Sequence, residues 1–216
     1  MKKMIIAALA VAFVAGSAMA TDLTLTATPA TIETSFPATV QFDVVAELSD
    51  NLNEGLAAYG FDIRAELDGA AFDVTSATVT APAGIEAFSV DGLTNPAGYG
   101  GTAINGVLVQ VGAAQNTIAN PGPNPPFPIG QVQFGVGANG SPQVVAQVSI
   151  NLTTAPADGM NYTFYIENGF ANVIRDGEVV APQLVDAVDA VTGSTVVVTA
   201  GAGNPCPWDL DGDGSV

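Results

Sequence analysis

Val40-Gln41-Phe42-Asp43-Val44-Val45-Ala46-Glu47-Leu48 decides the fold class of this chain. Val40, Phe42, Val44, Ala46 and Leu48 alternate with Gln41, Asp43, Val45 and Glu47. Successive side chains of a strand point to opposite faces, so the run predicts a strand with one face in a core. Working outward, Leu23 and Leu25 alternate with threonines before Pro29 and predict an earlier strand. Further strands are expected over 57–67, 72–81, 87–90, 103–113, 129–138, 144–153, 162–167, 178–181 and 195–200. The segment 184–191 fits a short helix as well as a strand. About ten short strands separated by Gly, Pro, Asn and Asp, with no long helix, predict an all-β sandwich. Roughly 180 residues between Thr21 and Ala200 suffice for a single core.

Two stretches interrupt the strand pattern. The first, 84–101, is rich in Gly and Asn; the second, 120–128, places five prolines around Phe127. Proline cannot donate to a sheet ladder, so the second reads as a stiff excursion between strands.

The two ends have different chemistry. Lys2 and Lys3, the apolar run from Met4 to Ala15 and the small-residue site Ala18-Met19-Ala20 form a secretory leader over 1–20. The mature chain is expected to begin at Thr21 and to be secreted, extracellular or at the cell surface. About a dozen apolar residues are too few to span a bilayer, and no later run reaches the roughly 18 needed. Four basic residues stand against 21 acidic ones, a formal net charge of −17. Losing the leader removes Lys2 and Lys3, so Arg64 and Arg175 are then the remaining cations. Such a chain is a poor partner for nucleic acid or anionic lipid, which need positive charge to neutralise phosphate.

There is no histidine and a single cysteine, Cys206. His-based triads and the usual zinc sites are excluded, and no internal disulfide can form. Most of the acids sit in turns or on the polar side of alternating strands, and none lies in a paired-carboxylate motif, so no enzyme activity is expected. The Asn151-Leu152-Thr153 and Asn161-Tyr162-Thr163 triplets match the glycosylation pattern.

After a Gly/Pro linker over 201–208, Asp209-Leu210-Asp211-Gly212-Asp213-Gly214-Ser215-Val216 matches the opening of a twelve-residue calcium loop. Asp209, Asp211 and Asp213 are spaced as carboxylate ligands, Ser215 would give its backbone carbonyl, and Val216 would turn toward a small core. The positions that close the shell lie beyond Val216. Calcium binding is therefore expected for the complete loop and weak or absent here, with 209–216 read as the start of a truncated module.

The residues resemble a known pairing. Leu25-Thr26-Ala27-Thr28-Pro29-Ala30-Thr31-Ile32, then Val40-Gln41-Phe42-Asp43-Val44, then Gly55-Leu56-Ala57-Ala58-Tyr59-Gly60-Phe61-Asp62-Ile63 resemble the opening strands of cohesin modules. Leu67-Asp68-Gly69-Ala70-Ala71-Phe72-Asp73-Val74 is similar to the turn that follows in that family, with Gly69 for its proline and Phe72 for its leucine. The resemblance covers about the first third of the domain. It implies a jelly-roll sandwich of about nine to ten strands over 21–200. The tail from Pro205 resembles the entry to a type I dockerin, a calcium-dependent module that attaches secreted proteins to cohesins.

Together these imply a non-catalytic extracellular binding or assembly module whose partner is a protein of the cohesin/dockerin type or a polysaccharide. The alternative is a carbohydrate-binding module, or an accessory domain of a glycoside hydrolase. Sugar stacking would fall to Tyr99, Phe127, Tyr162 or Tyr165. Which face of the sandwich binds is not readable from the residues.

Overall fold

The computed structural model describes residues 21–50, 52–80, 100–114, 142–178 and 184–201. Among them are thirteen strands and no helix. They are β1 (Asp22–Thr28), β2 (Thr31–Thr34), β3 (Ala38–Leu48), β4 (Asn53–Leu67), β5 (Ala70–Phe72), β6 (Thr78–Thr80) and β7 (Thr102–Ile104). The remaining six are β8 (Val107–Ala114), β9 (Gln143–Leu152), β10 (Asn161–Arg175), β11 (Val185–Ala187), β12 (Ala190–Thr192) and β13 (Ser194–Ala200).

Each of the long strands buries one face, which forces a second sheet over it. A five-stranded sheet runs β12-β1-β3-β9-β6, and an eight-stranded sheet runs β2-β13-β10-β4-β8-β7, with β11 beside β10 and β5 beside β4. Pairing is antiparallel except for β1 with β12 and β2 with β13. The chain crosses repeatedly between the sheets. Pro29, which has no N–H to give a ladder, marks the first crossing, from β1 in the smaller sheet to β2 in the larger.

The inward side chains form one continuous core. Leu23, Leu25 and Ala27 of β1 and Val40, Phe42, Val44, Ala46 and Leu48 of β3 face Tyr59, Phe61, Ile63 and Ala65 of β4 and Tyr162, Phe164 and Ile166 of β10. Phe42 and Phe164 meet across the sandwich at 5.6 Å between ring centroids. Tyr162 is packed by Phe72, edge-on at 4.9 Å, and by Phe36 at 6.0 Å. Burying each large apolar side chain contributes about 1.5–3 kcal/mol. The two buried tyrosines keep their hydroxyls satisfied: Tyr59 donates to the Val145 carbonyl at 3.0 Å and Tyr162 to the Thr154 carbonyl at 2.9 Å.

Several elements differ from the sequence reading. The single strand expected over 72–81 is two short ones, β5 and β6, in different sheets. Between them the Asp73 carboxylate accepts from the Thr75 N–H at 2.8 Å and from its hydroxyl, closing a local turn. The run 103–113 is a hairpin, β7 and β8, turned by Asn105 and Gly106 with φ of 50° and 82°. This is the backbone that Asn-Gly favours. The ambiguous 184–191 segment forms the short strands β11 and β12. Short added strands such as β2 raise the count above the nine to ten expected. The expected strands 87–90, 129–138 and 178–181 and both unusual loops lie outside the described residues, apart from Gly100, Gly101 and Glu178. Among the described residues no helix is long and apolar enough to cross a membrane.

Candidate functional site

The two central strands of the larger sheet, β4 and β10, are fifteen residues each and lie side by side. Their alternation turns Tyr59, Phe61, Ile63 and Ala65 into the core and leaves Asp62, Arg64 and Glu66 on the outer face. The register sets Tyr165 opposite Arg64, Glu167 opposite Asp62 and Thr163 opposite Glu66. These side chains form one connected array. Arg64 Nε donates to Glu167 at 2.9 Å, and Nη1 donates to Glu66. The guanidinium lies 4.0 Å from the centroid of the Tyr165 ring, and the Tyr165 hydroxyl donates to Glu66 at 2.9 Å.

The electrostatics follow from these contacts. The hydrogen bond from Arg64, then that from Tyr165, holds the Glu66 carboxyl below its usual range. Glu66, as acceptor of its hydroxyl proton, pushes the Tyr165 phenol up. The bond to Glu167, ahead of that to Glu66, raises the Arg64 guanidinium further above its already high value. About a third of each side chain of the Arg64–Glu167 pair meets solvent, so screening leaves it little net stability. Its effect is positional: Arg64 and Tyr165 are held in a fixed arrangement.

Beside the array lies a second feature. Asp62 accepts from the Gln110 N–H at 2.9 Å and from Asn168 Nδ2 at 3.0 Å, tying β8 and β10 to β4. Gln110 and Asn168 both carry positive φ, 58° and 52°, in the region sparsely used by residues other than glycine. The β10–β4 register slips between Glu167 and Phe170. Before that bulge Phe164 and Ile166 point inward; after it Ala171 and Val173 do, and Phe170 is turned outward. Its ring lies over Gly60, where a Cβ would collide with it, yet 49% of the residue meets solvent. Bulges re-aim side chains in this way, often next to functional sites.

The outer face of the smaller sheet has different chemistry. Rows such as Thr28, Asp43, Gln147 and Thr80, or Gln41, Ser149 and Thr78, cross it in register. All but Thr28 line a shallow depression of about 200 Å³, and the rows include no aromatic side chain that projects outward.

The residues expected from sequence divide as follows. Asp209, Asp211, Asp213, Ser215, Tyr99 and Phe127 lie outside the described residues. Tyr162 is core, 1% exposed, and presents no ring face to a sugar. One face of Tyr165 is covered by Arg64. Among the described residues no group of three or more acids or cysteines is placed to hold a metal, and the one buried polar side chain is Asn53. Phe170 and Asp62 were not among the expected site residues. The Asn168-Gly169 pair inside an otherwise alternating run is the signal that could have found the bulge that exposes Phe170.

No family profile and no curated protein matches the sequence. Among solved structures the fold is similar to cohesin modules. The sixth cohesin of scaffoldin B from Acetivibrio cellulolyticus, in complex with a dockerin, shares 17% identity with a TM-score of 0.45 over 84% of this chain and 99% of that one. The OlpA cohesin of a type I cohesin–dockerin complex from Clostridium thermocellum shares 8%, with a TM-score of 0.44 over 83% and 99%. A type III cohesin of the ScaE cell-surface anchoring scaffoldin from Ruminococcus flavefaciens shares 11%, with a TM-score of 0.40 over 86% and 89%.

Proposed function

We propose that this protein is a non-catalytic, exported assembly module that docks a protein partner of the dockerin type on the outer face of β4 and β10. The observation that carries the reading is the exposed Phe170 ring on the same outer face as the fixed Arg64–Tyr165 pair. Aromatic residues and Arg dominate the energetics of protein interfaces, and groups ordered in advance lose less freedom on binding. The bulge that exposes Phe170 breaks strand regularity, a local cost that this reading explains.

The tail supplies a second attachment in the same reading. Asp209, Asp211 and Asp213 with the Ser215 carbonyl are the opening ligands of a dockerin-like calcium loop. That is about four protein oxygens where calcium takes 6 to 8, so binding by residues 209–216 alone is weak. A calcium titration of the chain from Thr21 to Val216 checks it. Weak heat that disappears with Asp209→Ala is expected; tight binding indifferent to Asp209→Ala contradicts it.

The docking reading is tested by calorimetry of the same chain against a panel of calcium-loaded dockerin modules, with soluble cellulose and xylan oligosaccharides as competing ligands. A dockerin that binds the native chain and loses at least tenfold in affinity with Phe170→Ala, but not with Gln147→Ala on the opposite sheet, is the expected result. Binding of the oligosaccharides alone, or loss with Gln147→Ala in place of Phe170→Ala, overturns it.

A further inference from the structure

One end of the sandwich carries an open cleft of about 490 Å³ whose walls include Thr21, Asn53, Arg175, Asp176, Asp186 and Asp189. Arg175 is already engaged, donating from Nε and Nη2 to the Asp186 carboxylate at 2.7 and 2.6 Å. That leaves Asp176 and Asp189 in the cleft wall, and Asp50 beside it, without a cation among the described residues.

Thr21 is held firmly at this place. Its hydroxyl donates to Asp50 Oδ2 at 2.8 Å, and its carbonyl accepts from the Asp189 N–H at 2.8 Å. The next residue is pinned too: Asp22 N–H donates to Ser49 Oγ and Ser49 N–H donates to the Asp22 carbonyl, both at 2.9 Å. Asp50 is itself fixed by the Leu52 N–H and by Asn53 Nδ2. The α-nitrogen of Thr21 is three covalent bonds from its own hydroxyl oxygen, hence within about 4 Å of it and about 7 Å of the Asp50 carboxylate.

We infer that this cleft is the seat of the chain's own α-ammonium group, created when the leader is cut between Ala20 and Thr21. The inference rests on reading residues 1–20 as a leader. In the cut, a signal peptidase hydrolyses the peptide bond with water: the oxygen goes to the Ala20 carboxylate and the Thr21 nitrogen ends as an ammonium. An uncharged amide nitrogen is thereby replaced by a cation among Asp50, Asp176 and Asp189. The uncut chain lacks that charge, so this end of the sandwich is completed by processing, and the exported form is more stable than its precursor. Asp22, Glu54, Glu178 and the Arg175–Asp186 pair are further charged groups at this end. The carboxylates among them add to the attraction, and Arg175 is offset by its partner.

The sign with pH is fixed. Nearby carboxylates raise the folded pKa of the ammonium above its unfolded value of about 7.7–8.0, so the stabilisation is complete below that value and is lost as pH rises through the folded one.

The test compares the chain from Thr21 to Val216 with a free and with an acetylated α-nitrogen, by thermal unfolding at pH 6 and pH 10, in the native sequence and with Asp189→Asn. Asp189 holds Thr21 through its backbone, so its side chain can be changed without breaking that bond. Acetylation is expected to lower the melting temperature by about 2–4 °C at pH 6 and to have no effect at pH 10, with the loss reduced in Asp189→Asn. Equal melting at pH 6, a loss that persists at pH 10, or the same loss with Asp189→Asn overturns the inference. Sequencing the exported protein separates the two readings: a start elsewhere than Thr21 defeats the leader assignment as well, whereas a Thr21 start with indifferent acetylation defeats the cleft assignment alone.

Discussion

Leu48 closes the inward row of β3 at 3% exposure, and an aspartate there would be a buried charge without a partner. Leu48→Asp is expected to destabilise the domain by more than about 3 kcal/mol, read as a shift of the denaturation midpoint. An unchanged midpoint would mean that the row does not face the core. Glycines give a sharper contrast. A Cβ on Gly193 would collide with the Ile166 carbonyl, which is backbone and cannot move aside. A Cβ on Gly60 would meet the far end of the half-exposed Phe170 ring, which can swing away. Gly193→Ala should therefore cost about 1–3 kcal/mol by overpacking, and Gly60→Ala less than about 1 kcal/mol. Denaturant titrations giving the reverse order would contradict the packing described. At this scale the core was legible, because Val40, Phe42, Val44, Ala46 and Leu48 announce their side by spacing alone. Tyr162 and Phe170 were not, since an aromatic on a strand is inward or outward according to a register that the residue itself does not reveal.

Among the elements, β10 shows what spacing misses. Its first half reads as a strand over 162–167, as observed, but the strand continues to Arg175 through a bulge at Asn168. The bulge costs β10 its alternation and with it the sequence signal. Asp62 is the residue that holds this region, through bonds to Gln110 and Asn168 on the strands at either side. Asp62→Ala should destabilise by about 1 kcal/mol and speed hydrogen exchange of the Gln110 amide, while amides of β3 keep their protection. Unchanged exchange at Gln110 would show that the carboxylate is not its acceptor in solution. The β7–β8 hairpin is the opposite case. Asn105-Gly106 is a strong hairpin signal, and treating 103–113 as one strand overlooked it. The split of β5 from β6 needed the side-chain chemistry of Asp73, a turn-former whose competing bond to Thr75 ends the ladder.

For the whole molecule, charge sets the response to solution conditions. With a formal net charge of −17, self-repulsion opposes compaction. Raising salt from about 10 mM to 0.5 M shortens the screening length severalfold and should raise the melting temperature. A fall would show that attractive pairs outweigh the repulsion. Acid acts through specific groups. Glu66 is held low chiefly by Arg64, Asp186 by Arg175, and Asp73 by Thr75. Each contributes stability above the unfolded carboxylate range of about 3.9–4.3, and loses it as pH falls through its lower folded value. Arg64→Gln should make the acid limb of the melting profile shallower, and an unaltered limb would contradict the Glu66 assignment.

The two-sheet architecture followed from alternation and turn chemistry. The proposed docking face did not, because it depends on how β4 and β10 pair and on a bulge between them. The most direct test of that face is a hydrogen-exchange footprint of the chain from Thr21 to Val216, free and saturated with a calcium-loaded dockerin that binds it. Slowed exchange over residues 58–66 and 161–172, with residues 143–151 of the smaller sheet unchanged, is the predicted result. Protection confined to residues 143–151 would contradict it.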